Sequence, residues 1–258
     1  MASQDSIQKT LTVALLLCFV CSVIVSAAAV ILRPMQEANK DLDKKKNILL
    51  AAGLYQESVS IEEQFSVIQT RIVDLSTGLF VDLDAEAANA FDQRKAAKDP
   101  ATSQALDGNT DIAKISRREN QAVVYIVESD SVFDKIILPV HGSGLWSTLY
   151  GFVALESDLN TIAGLGFYDH GETPGLGGEI DNPRWKAFWP GKQVYKEGEV
   201  AIEVIKGSVM SGSANANYQV DGLSGATLTS RGVSNLLTFW MGENGFQAFL
   251  SNLKSGSA

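Results

Sequence analysis

Cysteine is nearly missing from this chain. Only Cys18 and Cys21 occur, both in an apolar run near the N-terminus. The rest of the chain has no disulfide of its own to staple it, and cysteine usage does not reveal the compartment. Histidine is just as scarce: His141 and His170 are the two, and neither belongs to a cluster with metal-ligand spacing. No metal site and no self-contained catalytic set is therefore expected, and no catalytic residue is assigned. Basic charge is also short. Residues 1–33 contain only Lys9, Arg33 and Asp5, so residues 34–258 hold 19 of the 21 basic and 29 of the 30 acidic side chains. That balance excludes nucleic acid as the main partner, because a phosphate backbone requires basic patches. No Gly-x-Gly-x-x-Gly follows a strand-like run, so no nicotinamide site is expected. There is neither an internal repeat nor a low-complexity tract.

Charge is absent altogether from Leu11 to Leu32, 22 residues in a row. As a helix rising 1.5 Å per residue this run spans about 33 Å, enough for a bilayer core. Ser26-Ala27-Ala28-Ala29 has the small residues of a signal-peptide cleavage site. The apolar run continues past it through Val30-Ile31-Leu32, which favours an uncleaved anchor. The run carries no ionisable side chain, so this chain alone is not an ion conduit. Cys18-x-x-Cys21 lies on one helix face, where cysteine serves as a small apolar residue. Arg33, Lys40, Lys44, Lys45 and Lys46 follow the run, and on the positive-inside rule they hold the C-terminal side in the cytoplasm.

Beyond the anchor, Gln36 to Leu54 reads as a second helical stretch, with Leu42, Ile48, Leu49 and Ala52 as an apolar stripe and Gly53 as its stop. Lys44-Lys45-Lys46 forms its solvated side or touches lipid head groups. Phe65 to Leu75 is a candidate strand, turned by Ser76-Thr77-Gly78. Asp84 to Lys98 is a short helix capped by Asp84, and the polar residues 99–120 form a surface loop. From Gln121 the pattern changes: 122–127, 132–140, 148–155 and 159–167 read as strands, with 199–205 another. Residues 228–253 give one or two helices broken near Gly242 or Gly245. Strands and helices in blocks predict an α+β fold with an antiparallel sheet and flanking helices. The expected organisation is a tail (1–10), an anchor (11–32), a membrane-proximal mixed region (33–120) and a second domain (121–258).

Two motifs carry chemistry. In Asp221-Gly222-Leu223-Ser224-Gly225-Ala226-Thr227, glycines open a turn and a hydroxyl stands where a helix begins. Helix-start N–H groups and the helix dipole suit a phosphate there. The plainer reading is an ordinary helix start capped by Ser224 or Thr227. About fifty residues upstream lies Glu172-Thr173-Pro174-Gly175-Leu176-Gly177-Gly178. Pro174 fixes this loop and its glycines let backbone amides approach a flat ring, although a tight surface loop has the same composition. Gly142-Ser143-Gly144-Leu145-Trp146 is a third glycine-rich stretch. Its Trp146 either covers a ring face or packs as an ordinary tryptophan. His141 and His170 read as loop histidines satisfied by backbone, and Trp185 and Trp189 receive no role.

The pattern D-x-x-[ST]-G-A-[ST] and the Glu172–Gly177 stretch resemble the hallmarks of flavinylated FMN-binding domains. Over most of its length the chain is similar to the C subunits of bacterial sodium-translocating NADH:quinone oxidoreductases. The resemblance implies FMN held covalently by a phosphate ester at Thr227, with Asp221, Ser224, Gly225, Ala226, Glu172, Thr173, Gly175, Leu176, Gly177 and Trp146 around it. It implies a magnesium-dependent flavin transferase that uses FAD as donor, since threonine needs outside activation. Asp221 either helps that enzyme recognise the motif or caps the turn. Further implications are the other subunits of a membrane oxidoreductase as partners, electron relay without an independent substrate pocket, and a bacterial inner-membrane location with the domain on the periplasmic side. That last implication opposes the positive-inside reading. Two alternatives stand beside it: the G subunit of an Rnf-type electron-transport complex, which is typically shorter, and a non-redox membrane-tethered assembly module.

Overall fold

The computed structural model describes residues 6–129, 132–210 and 212–258. The chain divides into two units, Met1–Asp43 and Lys44–Ala258. Helix α1 (Ile7–Ala51) contains Pro34 and continues through it, so the anchor and the expected second helical stretch form one element. Proline removes one i→i−4 hydrogen bond but does not have to end a helix. Within α1 lies a stretch long and apolar enough to cross a membrane, and its side chains are exposed in the first unit.

The second unit is built on one sheet. Its strands are β1 (Ile68–Asp74), β2 (Leu79–Phe80), β5 (Gln121–Ser129), β6 (Val132–Ser143), β7 (Thr148–Glu156) and β8 (Ile162–Asp169). They lie in the order β2-β1-β5-β6-β7-β8, every pair antiparallel. The helices are α2 (Ile61–Phe65), α3 (Ala85–Ala90), α4 (Gln93–Lys98), α5 (Pro183–Lys186), α6 (Thr227–Met241) and α7 (Gln247–Ser255). Short strands complete it: β3 (Ser103–Ala105) with β4 (Arg117–Glu119), β9 (Tyr195–Lys196) with β10 (Glu199–Val200), and β11 (Glu203–Val204) parallel to β12 (Gln219–Val220).

Both faces of the sheet are covered, which explains why residues 122–127 read as an unbroken apolar run. Ala122, Val124 and Ile126 face a core shared with Val233, Leu236, Leu237 and Trp240 of α6. Val123, Tyr125 and Val127 face a second core with Ile48, Leu49, Ala51 and Ala52 at the end of α1. Lys44, Lys45 and Lys46 are not simply solvated: their ammonium groups stand 5.9, 5.7 and 5.0 Å from the ring centroids of Tyr125, Phe65 and Tyr55. Such contacts favour the charged amine over the ring face.

Several expectations need correction. The division at residue 120 runs through the sheet, since β1 pairs with β5 over seven residues, from Ile68↔Val127 to Asp74↔Gln121. Asp84–Lys98 is two helices, each with an aspartate cap: Asp84 accepts from Ala87 N at 2.7 Å and Asp92 from Lys95 N at 3.1 Å. Residues 99–120 are not a surface loop. They hold the β3–β4 hairpin, and Arg118 and Glu119 are buried. The strand expected from 159 starts at Ile162, because Asp158 Oδ1 accepts the N–H groups of Asn160 and Thr161 and closes a turn there. Residues 199–205 form two two-residue strands with different partners, divided where the N–H groups of Ala201 and Ile202 both turn to Val194 O.

Helix α6 lies close against β6. A Cβ on Gly142 would meet Leu236 Cβ at 2.6 Å, and one on Gly232 would collide with the carbonyl of Ser143. These two glycines bring the start of α6 beside the turn after β6. The candidate site lies there.

Candidate flavin site

Thr227 is the first residue of α6, and it is exposed. Helices α2 to α5 each begin with a serine, aspartate or asparagine whose oxygen accepts a helix N–H. The cap position before α6 is Ala226, whose side chain has no oxygen to offer. Its first i→i−4 bond is Ser230 N to Ala226 O at 3.0 Å, so the N–H groups of 227–229 precede the helical ladder. The capping role weighed for Ser224 or Thr227 is not what the structure contains. An uncapped start with an exposed hydroxyl on its first residue suits a phosphate ester.

The turn before α6 is tied down from behind. Ser230 Oγ accepts from Leu223 N at 3.1 Å, and Ala226 N donates to Leu223 O at 3.2 Å. Asp221 faces away from the helix start. Its Oδ1 accepts from Val209 N at 2.8 Å, and its carbonyl accepts from Trp185 Nε1 at 2.8 Å. The turn-capping role weighed for Asp221 is replaced by another structural one, fastening the 205–210 segment to the motif. Trp185, given no role from sequence, is the other fastening, and it packs edge-on to the buried Trp189.

The upstream motif meets the downstream one. Thr173 O accepts from Leu176 N at 3.1 Å and from Gly178 N at 2.9 Å, and Gly175 takes φ +77° to close the loop. Leu176, about half exposed, touches Gly225: a Cβ there would come 3.0 Å from Leu176 Cδ2. Gly225 also sits at φ +73°, so its backbone conformation calls for glycine. Ser224, Gly225, Thr227, Thr173 and Gly175 are exposed, whereas Ala226 and Gly177 are buried.

Glu172 is 5 % exposed. Its Oε1 accepts from Leu145 N at 3.0 Å, Trp146 N at 2.9 Å and, more weakly, Ser147 N at 3.4 Å. Its Oε2 accepts the hydroxyl of the fully buried Thr229 at 2.6 Å. Trp146, in the turn so held, is 71 % exposed, and Leu145 and Leu228 are exposed with it. Large apolar side chains at the surface beside glycine-rich backbone are what a flat aromatic ligand covers.

The histidines take supporting parts. His170 Nε2 lies 2.7 Å from Asp181 Oδ2, and its Nδ1 accepts from Glu172 N at 3.2 Å. The first contact fixes the ring and the second steadies the Glu172 backbone, so the partners include a carboxylate as well as the expected backbone group. The His141 ring stacks 5.5 Å from Tyr150 and meets Trp240 at a tilt 4.8 Å away, with burial, and then Arg94, pushing its pKa down to about 4. It is neutral at ordinary pH and packs as an aromatic. Among the described residues no group of three His, Cys, Asp or Glu side chains is placed to hold a metal.

A membrane-anchored antiparallel sheet with an uncapped, hydroxyl-bearing helix start defines the class, and the FMN-binding domain family matches residues 144–242. The C subunit of the Na(+)-translocating NADH-quinone reductase of Pseudomonas aeruginosa is 56 % identical over 263 residues and is covered, like this chain, in full. The corresponding protein of Vibrio vulnificus strain YJ016 is 51 % identical, with 99 % of each chain covered. The crystal structure of Shewanella oneidensis NqrC superposes with a TM-score of 0.77 at 40 % identity, covering 84 % of this chain and 99 % of that one. The chain belongs to the NqrC family, the C subunits of Na+-translocating NADH-quinone reductases, which are oxidoreductase complexes. Of the two flavin-class families considered, this is the sodium-translocating one and not the Rnf type.

Proposed function

We propose that the chain carries FMN covalently through a phosphate ester on Thr227 and relays electrons between redox centres of the Na+-translocating complex. The observation that carries this reading is the exposed Thr227 hydroxyl at the one helix start where the two family motifs touch. FMN would supply reversible electron uptake, and the rest of the work belongs to the chain. The N–H groups of 227–229 and the α6 dipole favour the phosphate charge, with Ser224 beside them. Trp146, Leu176 and Leu228 offer apolar cover to the ring. Linkage through the phosphate leaves the ring unmodified, so these contacts tune its redox behaviour.

Attachment forms a bond between Thr227 Oγ1 and the phosphorus of the FMN half of FAD. The pyrophosphate bridge breaks, AMP leaves, and the hydroxyl proton passes to a base of the magnesium-dependent transferase. Glu172, whose carboxylate reaches the first turn of α6, is already engaged with Thr229 and is not available as that base. Thr229 itself is fully buried, which favours Thr227 as the acceptor of the two.

The test is peptide mass spectrometry over residues 221–231 after co-expression with a flavin transferase. A mass increment of FMN minus water on Thr227 is expected. Thr227→Ala should abolish the fluorescent band on a denaturing gel and leave the circular dichroism of the domain unchanged. Flavin retained in that variant would overturn the assignment. The same reading puts the FMN-binding domain on the periplasmic face, where the transferase acts in the family it resembles. Protease added to intact spheroplasts should remove the domain, and full protection would refute the orientation.

A further inference from the structure

We infer that Glu172 is the positioning residue of the flavin corner: its buried carboxylate clamps the Trp146 turn to the first turn of α6, setting the ring's cover before flavin arrives. The inference rests on the FMN reading for what is covered, but the clamp is a property of the apoprotein.

The geometry is two-sided. Oε1 gathers the N–H groups of Leu145 and Trp146 at 3.0 and 2.9 Å, and Oε2 takes the Thr229 hydroxyl at 2.6 Å. Glycines make room on both sides. A Cβ on Gly144 would come 2.6 Å from Oε1, and one on Gly177 would come 2.5 Å from Oε2 and 2.6 Å from Thr229 Oγ1. Glu172 therefore joins three segments that lie apart in the sequence: the 142–147 turn, the 172–178 loop and the start of α6. His170 steadies it from behind through Glu172 N, and Asp181 holds His170 in turn. Both carboxylate oxygens are engaged and the residue is 5 % exposed, so Glu172 acts on the ligand through Trp146 and α6 and not by contact.

Removing the carboxylate strands N–H groups and a hydroxyl in the interior, and they regain partners only by opening the turn to water. Reach matters more than charge. Aspartate keeps the charge but is one methylene shorter, and cannot serve both sides. Glutamine keeps the length: its oxygen can accept from the turn, and its amide can donate to Thr229. The clamp also fixes which hydroxyl is presented, because Thr229 is turned inward to Glu172 while Thr227 is left outside.

The experiment uses the full chain in detergent, made with and without a flavin transferase. In the apoprotein, amide exchange at 145–147 should accelerate at least about tenfold in Glu172→Asp and Glu172→Ala, while amides of β5 keep their protection. Glu172→Gln should stay near wild type. In the flavinylated protein, Glu172→Asp should show brighter flavin emission and faster depolarisation, because Trp146 no longer stays over the ring. If Glu172→Ala does not fold, Glu172→Asp carries the same decision. Unchanged exchange at 145–147 in Glu172→Asp would overturn the clamp, as would a Glu172→Gln variant as loose as Glu172→Asp. Absence of flavin from the wild type would sink the FMN reading, and the exchange arm would still decide the clamp.

Discussion

Two regions of the second unit break the usual burial pattern in opposite directions. Around Thr227 the surface holds Leu145, Trp146, Leu176 and Leu228, all exposed. In the 85–119 segment the interior holds charge. Glu119 is fully buried and Arg118 nearly so, while Arg94 lies 3.6 Å from the ring centroid of Tyr150 and 2.7 Å from Asp169. On the FMN reading the apolar groups left in water await a ligand, while the polar groups taken out of it fasten a peripheral segment. In the second region Gln93 of α4 donates to Glu119 and accepts from Val123 N of β5, so α4 is pinned to the sheet by one amide. The flavin corner spends stability on function, and the 85–119 segment on attachment.

The sharpest way to break this contrast is to neutralise the buried charge. Burial raises the Glu119 carboxyl from its ordinary 4.5 to about 7, although Gln93 and Arg118 pull the other way. Glu119 Oε2 has no hydrogen-bond partner among the described residues. The unfolded chain loses this proton near 4.5 and the folded chain only near 7. The Glu119 contribution is thus fully present below pH 4.5 and declines as pH rises from 4.5 to 7. The loss reaches at most about 3 kcal/mol and then levels off. His141, lowered from 6.5 to about 4, contributes the opposite slope between those values, so Glu119 is read from the difference between wild type and Glu119→Gln. Glu119→Gln should remove the Glu119 slope. The variant is expected to be more stable than wild type at pH 8 by up to about 3 kcal/mol, and near equal to it at pH 4. Denaturant unfolding of the detergent-solubilised chain across that range measures it. A stability difference between wild type and Glu119→Gln that stays constant between pH 4.5 and 7 would mean that Glu119 is ionised and compensated in the fold.

The same contrast marks what sequence could reveal. The apolar strands were readable because the faces of β5 to β7 are covered, so burial left a signal in every residue. The Asp221–Thr227 and Glu172–Gly177 motifs were readable because glycine at φ +73° and +77° leaves few substitutes. The 99–120 hairpin was not. Its buried residues are Ser103, Ala113, Arg118 and Glu119, a composition close to that of a loop, and the two charged ones find the long-range partners Asn244 and Gln93. Nor could sequence tell that Glu172 points inward, because its partners Trp146 and Thr229 lie 26 and 57 residues away. The anchor and the Gln36–Leu54 stretch read as two helices where there is one, which runs on through Pro34 because a helix interior tolerates the loss of a single hydrogen bond. The pairing of β1 with β5 spans about fifty residues, and no local pattern records it.

The smallest stability effect sharpens the other side of the comparison. Trp146 is 71 % exposed, and its backbone N–H, not its ring, is what the fold uses. Trp146→Ala should therefore change unfolding free energy by no more than about 0.5 kcal/mol, as an exposed side chain away from caps and cores does. In the flavinylated protein the same substitution should brighten the flavin and shift its midpoint potential, since an aromatic face no longer covers the ring. Redox titration beside denaturant unfolding separates the two quantities. A large stability loss with unchanged emission would make Trp146 a core residue in disguise, and the exposed apolar corner would need another occupant than a flavin ring.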